Sequence, residues 1–381
     1  MLAEELTLDL AARYSDYSTI GDTTTWRANL MYAPYEDLMI RLSQSQAVRA
    51  PNITELFGPE VGTTFRPTDP CNASVIAGIR GNDPAAADQI QANCVADFQS
   101  IGYNPFNDAG EYVYTDPLSA AFPGVTGGNA ELQEETADTT TVGFVYQASW
   151  LEGLSVTADY WSIEIESAIS SVSSNDIVNG CYIGENLNEN FCSLFTRNTD
   201  ANSPQFGGLN FLRSTQVNFA RLETSGVDFS VGYDFEIDDH TFLTKISGTK
   251  VNEIDQFTNP NDLTEVNPEL GEVNRPEWAG NFTVTWKWQD LQIGWQTQYM
   301  DEQLVAFVEI EEYERGDYDD SVVMDEFFQH DINFSYVLTD TVKMYGGIKN
   351  VTNEEPFLTN FAYPASARGR FYFIGFDMQL N

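Results

Sequence analysis

Apolar and polar side chains alternate along most of this chain, and segment 281–289 shows the pattern clearly. One face of this segment would be apolar and would consist of Phe282, Val284, Trp286 and Trp288. The opposite face would carry asparagine, threonine, lysine and glutamine. A period of two residues is typical of a β-strand whose two faces meet different surroundings.

The same alternation recurs from one end of the chain to the other, and it predicts an all-β protein of about twelve strands. The predicted strands lie near 4–18, 23–34, 37–50, 135–150, 154–169, 210–237, 241–255, 277–289, 291–307, 326–338, 341–351 and 367–380. In segment 154–169 the apolar positions change phase after Tyr160. A β-bulge there, or emergence of the strand from the apolar layer, would explain the change.

The connections between these strands alternate in length. Tight turns are predicted at 34–36, 151–153, 238–240, 289–290 and 338–340, and long connections at 51–134, 170–209, 256–276, 308–325 and 352–366. Only the first connection, 19–22, departs from this alternation. In one antiparallel sheet, such an alternation places every tight turn at the same end, which is the layout of a transmembrane β-barrel with long extracellular loops.

Aromatic residues support a membrane-spanning sheet. Tyr35, Trp150 and Trp288 lie beside predicted tight turns, and Tyr160 and Tyr299 lie about eight or nine residues further along a strand, close to the ~9–11 residues needed to cross a bilayer. Aromatic girdles mark both interfaces of such barrels. A soluble sheet also has one wet face, however, so alternation alone leaves a soluble β-rich protein open.

Composition narrows the possible partners. The 381 residues include 58 acidic and 18 basic side chains, and the formal net charge is −40. Nucleic acid is therefore excluded as a plausible partner, because few basic groups are available to neutralise phosphates. The mean hydropathy is −0.30, and no segment has the ~20 apolar residues of a spanning helix.

Acidic residues are concentrated in the predicted long loops, with eleven in 51–134 and eight in 308–325. They are interpreted either as a solvated surface suited to a salty medium or as ligands for divalent cations. Because no EF-hand spacing is present, the first interpretation is favoured. We expect neither a metal site nor a cofactor. The acidic loops also disfavour a strongly anionic ligand.

The four cysteines fall into two local pairs inside long polar segments, at Cys71 and Cys94 and at Cys181 and Cys192. Disulfides within these pairs would place the chain in an oxidising compartment, and proximity suggests the connectivity 71–94 and 181–192. Free thiols are the alternative. One short helix is predicted in the first long loop, capped by Asp83, beginning at Pro84 and extending to about residue 98.

Several motifs, taken in this order and spacing, resemble the C-terminal barrel region of TonB-dependent outer-membrane receptors. The motifs are QAVRAPNITELF at 46–57, DPC at 69–71, NAELQEE at 129–135, TVGF at 141–144, DYWSIEI at 159–165, TSGVDF at 224–229, GIKNVTN at 347–353 and GRFYF at 369–373. There are departures: Ala130 and Glu134 stand where the family usually has proline, and Asn381 stands where it usually has an aromatic terminus.

The resemblance implies an architecture of about 22 strands with an N-terminal plug domain and a TonB box. We therefore interpret residues 1–381 as the C-terminal half of a receptor barrel that lacks the plug, the TonB box and the signal peptide. Alone, the chain is expected to aggregate or misassemble, because open sheet edges are not tolerated in lipid. Twelve strands closing on their own are the alternative.

The resemblance also implies a function, namely TonB-dependent import of a scarce solute across the Gram-negative outer membrane. The implied partners are outer-membrane lipid, TonB acting through the missing plug, and a siderophore, cofactor or oligosaccharide ligand. A passive porin and a soluble acidic β-rich binding module are the alternatives. No catalytic residue is predicted, since GxSxG, HExxH and Walker motifs are all missing from the sequence.

Candidate contact residues follow from these expectations. Arg49, Asn52 and Glu55 lie at the mouth of the first long loop and are predicted to contact the plug or the substrate. Arg41 and Lys287 are predicted to face inward from the barrel wall, where a hydrated wall is the alternative role. Tyr313 and Tyr318 are loop aromatics that would stack on a sugar or siderophore ring, or would pack within their own loop.

Overall fold

The alternating segments form long strands, each of which pairs with its neighbours along the chain. The structure is a computed structural model, and it describes residues 4–118, 120–259, 262, 264–305, 308–355 and 368–379. The strands are β1 (Glu5–Tyr17), β2 (Gly21–Tyr35), β3 (Leu38–Arg49), β4 (Val61–Phe65), β5 (Phe122–Gly127), β6 (Glu135–Gln147), β7 (Leu154–Ser171), β8 (Phe195–Arg197), β9 (Leu209–Ile237), β10 (His240–Phe257), β11 (Asn267–Pro268), β12 (Trp278–Trp288), β13 (Leu291–Met300), β14 (Gln303–Leu304), β15 (Val323–Met324), β16 (Phe327–Thr339), β17 (Val342–Lys349) and β18 (Phe371–Met378).

Helices are short and confined to the connections. They are α1 (Ile53–Phe57), α2 (Ala73–Asn82), α3 (Pro84–Ser100), α4 (Ser174–Tyr182), α5 (Glu189–Cys192), α6 (Ile310–Glu314) and the 3₁₀ turn Asp320–Val322. Within the described part of the chain, no helix combines the length and the apolar character needed to cross a membrane.

Twelve of the strands form one antiparallel sheet, in the order β1-β2-β3-β6-β7-β9-β10-β12-β13-β16-β17-β18. These correspond one to one with the twelve predicted segments, so the prediction of an all-β meander is confirmed. Parts of the prediction cannot be compared, because residues 306–307 and 380–381 and most of the predicted connection 352–366 lie outside the described residues.

Pairing register places the apolar positions of neighbouring strands on a common face. Leu8 pairs with Leu30, Leu30 with Leu42 and Leu42 with Val142. This apolar face is not covered, since the side chain of Leu10 is 69% exposed on β1 and that of Ile374 is 67% exposed on β18. An apolar surface across twelve strands is far larger than soluble proteins expose, and it matches a face that contacts hydrocarbon.

The sheet is not closed. Within the described residues, β1 and β18 stand at its two ends and each pairs with a single neighbour. A closed barrel has no unpaired edge, so the described strands do not form a closed barrel in this structure. That the twelve strands belong to a larger barrel stays a prediction.

Tight turns do lie at one end of the sheet. Two residues connect β9 to β10 and two connect β12 to β13, and Asp238 and Gln289 in these turns have positive φ values of 53° and 50°. At the other end, β3 leads to β6 through residues 50–134, and β7 leads to β9 through residues 172–208. The predicted alternation of turns and loops is confirmed for the connections that the structure describes in full or in large part.

The bulge suggested in segment 154–169 lies further along β7 than the change in apolar phase. Pairing of β7 with β6 is continuous from Ser155 to Glu166, so the phase change after Tyr160 involves no bulge. The irregularity in pairing with β9 comes between Ile165 and Ala168, where Ser167 has a φ of 54°. The alternative explanation, in which the strand emerges from the apolar layer, fits the phase change.

The main buried cluster lies at one end of the sheet, in what we call the loop assembly, formed by the described residues of 53–127 and 172–217, the last of which belong to β9. Its core includes Phe98, Tyr114, Ile177, Tyr182 and Leu212. The two predicted disulfides are formed, Cys71–Cys94 and Cys181–Cys192. The predicted helix is present as α3, where Asp83 accepts hydrogen bonds from the first-turn amides, but α1, α2, α4 and α5 were not predicted.

Candidate functional site

A charged pair on the polar face of the sheet joins two strands that are not neighbours. Arg41 on β3 donates through Nε to Asp159 Oδ1 on β7 at 2.6 Å, passing over Gly143 on the intervening strand β6. A Cβ atom at position 143 would overlap the Asp159 carboxylate. Arg41, predicted to face inward, thus belongs to a polar row whose geometry depends on a glycine.

Further polar side chains continue this row along the sheet. Asp159 lies opposite Asp228 on β9, and Asp228 accepts a hydrogen bond from Thr249 Oγ1 on β10 at 2.5 Å. Further along, Lys349 donates to Asp331 at 2.7 Å. Several polar-face side chains are therefore hydrogen-bonded to each other, as expected of a hydrated wall.

Arg49, Asn52 and Glu55 come together where β3 ends and α1 begins. Arg49 donates to Glu135 Oε1 at 2.8 Å and to Glu55 Oε2 at 3.1 Å. Asn52 caps α1 by accepting from the Glu55 amide at 2.9 Å, while the Glu55 carboxylate accepts from the Asn52 amide at 2.7 Å. This is a capping box.

These three residues lie where β3 leads into the first long loop, as the sequence analysis placed them. Their mutual contacts also stabilise the local structure. Glu135 also accepts a hydrogen bond from the Ile169 amide of β7 at 2.7 Å. The cluster thereby fastens α1, β3, β6 and β7 together. Contact of this cluster with a plug or a substrate stays a prediction.

Lys287 lies apart from the other candidates. It pairs in register with Thr241 on β10, next to the tight turn between β9 and β10, and its side chain is exposed. The structure therefore places Lys287 at the end of the wall opposite the loop assembly and does not bring it together with Arg41 or Arg49.

A buried charge network holds the loop assembly together, and the sequence analysis missed it. Arg197 is 6% exposed and donates to both carboxylate oxygens of Asp69, at 2.7 and 3.0 Å, and to Asp97 at 2.9 Å. Its guanidinium carbon lies 4.8 Å from the centre of the Phe98 ring. Such a bidentate, ring-stacked arginine links the first long loop to the second.

The electrostatics of this network follow from its burial. Burial alone would raise the pKa of Asp69, but the charge and hydrogen bonds of Arg197 hold it below its ordinary value. Burial raises the pKa of Tyr114, whose hydroxyl donates to Asp69 Oδ2 at 2.9 Å. The one sequence signal for the network was a single arginine within an acidic loop region, which does not identify its partners.

Tyr313 and Tyr318 lie in the loop that follows β13, but they differ in setting. The Tyr313 hydroxyl donates to Asp320 at 3.1 Å, and its side chain lines a pocket of about 400 Å³. Tyr318 is exposed and does not line the pocket. The lining consists of Gly271, Glu302, Gln303, Leu304, Ile310, Tyr313, Asp320, Val323 and Asp325.

One side of this pocket is built by a junction between two loops. The Leu304 amide donates to the Gly271 carbonyl at 2.8 Å, and the Ile310 amide donates to Glu272 Oε1 at 3.3 Å. Arg275 donates to Glu272 at 2.9 Å. Burial, followed by the neighbouring carboxylate of Glu309, raises the pKa of Glu272 to about 7.

The described residues contain no group of three or more histidine, cysteine or carboxylate side chains that is placed to hold a metal ion. The few basic groups in these loops bind some of the carboxylates. Arg275 also binds Glu269 at 2.9 Å, and Arg315 binds Asp317 at 2.8 Å through Nε.

Known proteins share the sequence pattern and the fold of this chain. Residues 2–351 match the family described as TonB dependent receptor-like, beta-barrel. No sequence among curated proteins matches the chain. Among solved structures, the siderophore receptor PirA from Acinetobacter baumannii is similar in fold, with a TM-score of 0.57 and 12% identity over 99% of this chain and 44% of that receptor.

Two structures of the ferric enterobactin receptor PfeA from Pseudomonas aeruginosa are similar in the same way. The complex with enterobactin has a TM-score of 0.56 and 11% identity, and the complex with BCV-L6 has a TM-score of 0.55 and 12% identity. Each alignment covers 99% of this chain and 44% of the receptor, so the chain spans less than half the length of these proteins.

Proposed function

Because the chain belongs to the TonB-dependent receptor β-barrel family, we propose that it forms part of the wall and the extracellular mouth of an outer-membrane importer. In this proposal the apolar face contacts lipid, the polar face lines the interior, and the loops capture the ligand. The family consists of transport receptors rather than enzymes, so no catalytic role is assigned.

The match over residues 2–351 is the observation that carries the proposal. The antiparallel meander supports it, since the exposed apolar face suits contact with lipid and the polar face suits a water-filled interior. A soluble binding module is disfavoured because so large an apolar surface would aggregate in water.

The remaining parts of the receptor are proposed from the family. We assign residues 1–381 to the C-terminal part of the barrel, and we expect a plug domain and a TonB box elsewhere in the receptor to supply energy coupling. Arg49, Asn52 and Glu55 at the rim are proposed to contact that plug or the incoming ligand, and Arg41 on the polar face is proposed to line the transport path.

A siderophore is the first ligand class to test, because the solved proteins of similar fold are described as siderophore receptors. The formal charge of −40 argues for a ligand that is neutral or carries positive charge. A cofactor or an oligosaccharide remains compatible with the aromatic residues of the loops.

Energy-dependent uptake tests the proposal directly. The receptor that carries this chain would be expressed in a Gram-negative host without its own siderophore receptors, and accumulation of ferric siderophores would be measured with and without TonB. We expect accumulation that disappears when TonB is deleted or an uncoupler is added. Uptake that persists without TonB, together with ion conduction in planar bilayers, would instead identify a passive porin.

A further inference from the structure

A shallow groove on the apolar face crosses four neighbouring strands, β3, β6, β7 and β9. It has a volume of about 710 Å³, and Ala158 on β7 is the smallest side chain that lines it. Phe144 lies opposite Ala158 on one side and Phe229 on the other. A Cβ on Gly248 would lie 2.9 Å from Phe229 Cζ, and the Phe229 ring contacts that of Trp278 at 6.3 Å. The Phe229 ring thus leans over β10 and away from Ala158, which opens the groove.

The lining of the groove is apolar throughout. It consists of leucine, isoleucine, valine, alanine, phenylalanine and tyrosine side chains together with Gly143, and it contains no charged residue. A flat wall contacts an acyl chain along one side, whereas a groove contacts it on several sides and gains more dispersion attraction. The volume falls within the range of ~300–1,000 Å³ that is typical of small-molecule sites. The groove therefore suits one hydrocarbon chain held in a fixed place.

The groove runs along the strands and ends beside an interfacial pair of aromatic residues. Val156 and Tyr160 mark its two ends on β7, roughly 13 Å apart at the usual rise of a strand. Tyr146, opposite Val156, accepts a hydrogen bond from the indole of Trp150 at 2.8 Å. Tyrosine and tryptophan side chains in membrane proteins lie at the level of the lipid headgroups. The Tyr146 hydroxyl keeps its own proton, which it can donate to a lipid oxygen.

Charge at this end of the groove favours one class of headgroup. The two turns beside Tyr146 carry Glu36, Asp37 and Glu152, and neither turn contains a lysine or an arginine. These carboxylates form no site by themselves, but they influence which headgroup can lie above the groove. They repel an anionic headgroup and attract the ammonium of a zwitterionic one.

A lysine near the other end of the groove is engaged elsewhere. Lys250 on β10 pairs in register with Val227, which lines the groove. The amine of Lys250 binds Glu277 at 3.3 Å and lies 5.6 Å from the centre of the Trp278 ring, both on the side of β12. Its positive charge is therefore directed away from the groove.

We propose that this groove holds one acyl chain of an amine-bearing phospholipid of the phosphatidylethanolamine class. The chain packs over Ala158 beside Phe144. The Tyr146 hydroxyl donates to a phosphate or ester oxygen, and the ammonium lies near the carboxylates of Glu36 and Glu152. The inference rests on the proposed function in one respect, namely that the apolar face contacts lipid.

Native mass spectrometry of the purified receptor in detergent measures this binding, with phosphatidylethanolamine and phosphatidylglycerol of identical acyl chains as probes. We expect phosphatidylethanolamine to bind about threefold more tightly, which is the scale of an exposed ion pair. Ala158→Leu fills the groove and is expected to weaken the binding of both lipids about tenfold, because fewer methylene groups are buried. Ala28→Leu, on the same face of β2 but outside the groove, is the matched control and should leave binding unchanged.

A double variant, Glu36→Gln with Glu152→Gln, separates the headgroup from the acyl chain. The groove stays open in this variant, so both lipids are expected to bind, but without the preference for phosphatidylethanolamine. Heat-modifiable migration on a semi-native gel would establish that every variant is folded.

Three results would each overturn the proposal. The first is equal lipid binding by the wild type, Ala158→Leu and Ala28→Leu. The second is a preference for phosphatidylglycerol, or a preference for phosphatidylethanolamine that persists in the double variant. The third is a receptor dimer that Ala158→Leu dissociates, which would assign the groove to a second copy. Because the assay involves no TonB and no transport, its failure is distinguishable from failure of the uptake experiment.

Discussion

The guanidinium of Arg41 reaches the carboxylate of Asp159 across an entire intervening strand. The crossing is possible because the residue beneath it is Gly143, where no side chain blocks the path. Three adjacent strands, β3, β6 and β7, are thereby tied together by side chains in addition to their backbone ladders. The contact makes a single glycine a determinant of wall geometry.

Gly143→Ala is accordingly expected to destabilise the barrel wall. The added methyl group would displace the Asp159 carboxylate and separate it from Arg41, with a loss of about 1–3 kcal/mol typical of overpacking. Urea unfolding of the receptor in detergent measures the change. Gly62→Ala is the control, because a Cβ there meets no atom within 4 Å. Equal stability of the two variants would contradict the role given to Gly143.

Arg197→Met is expected to destabilise the loop assembly. It would leave Asp69 buried without its partner, and breaking a buried pair in this way costs about 3–5 kcal/mol. Limited proteolysis of the loops and thermal unfolding would report the loss. Arg213→Met removes an exposed pair with Glu60 and should cost at most about 1 kcal/mol. A loop assembly that resists protease equally in both variants would argue against the network.

Reduction of the disulfides should loosen the same assembly. Cys71–Cys94 closes a loop with a sequence separation of 23 and should contribute about 3 kcal/mol by chain entropy. Cys181–Cys192, with a separation of 11, should contribute slightly less. Paired serine variants of each bridge, compared by thermal unfolding, measure both contributions. A larger loss from the shorter bridge would show that loop closure is not the dominant effect.

The junction between the two loops around Glu272 should weaken as pH rises. The folded pKa of Glu272 is raised from 4.5 to about 7 by burial and then by Glu309, although Arg275 opposes the shift. The folded state therefore holds a proton that the unfolded state releases, and the contribution is full below about pH 4.5 and is lost through pH 7. Protease cleavage within 301–326 should increase from pH 5 to pH 8.

Glu272→Gln is the matched variant for this pH effect. It keeps the size of the side chain and a hydrogen-bond acceptor for the Ile310 amide, but it cannot ionise. Cleavage in this variant should lose most of its dependence on pH. A wild-type cleavage rate that stays constant between pH 5 and pH 8 would contradict the assignment.

Local periodicity made the wall predictable from the sequence. The alternating residues of each strand predict which of its faces is apolar. A short gap between two alternating segments predicts each tight turn. Asp83 before Pro84 likewise marked α3, because capping is decided within a few residues. Sequence proximity sufficed for the two disulfides.

The candidate site was less predictable because its contacts join distant segments. Arg197 binds Asp69, which lies 128 residues away in the sequence, and no local sequence pattern predicts this contact. The glycine beneath the Arg41–Asp159 pair appears in the sequence simply as one polar-face position of β6. Gln303 looks like an ordinary loop residue until the fold buries it beside Leu304.

Strand β9 extends without interruption from the tight-turn end of the sheet into the loop assembly. Its 29 residues span on the order of 90 Å at about 3.3 Å per residue, and β5 and β8 pair with its outer part. The described residues between β10 and β12, and between β13 and β16, contain no strand longer than two residues. The loop assembly is thus supported by one continuous strand of the sheet, whereas the described parts of the connections after β10 and β13 lack such a support.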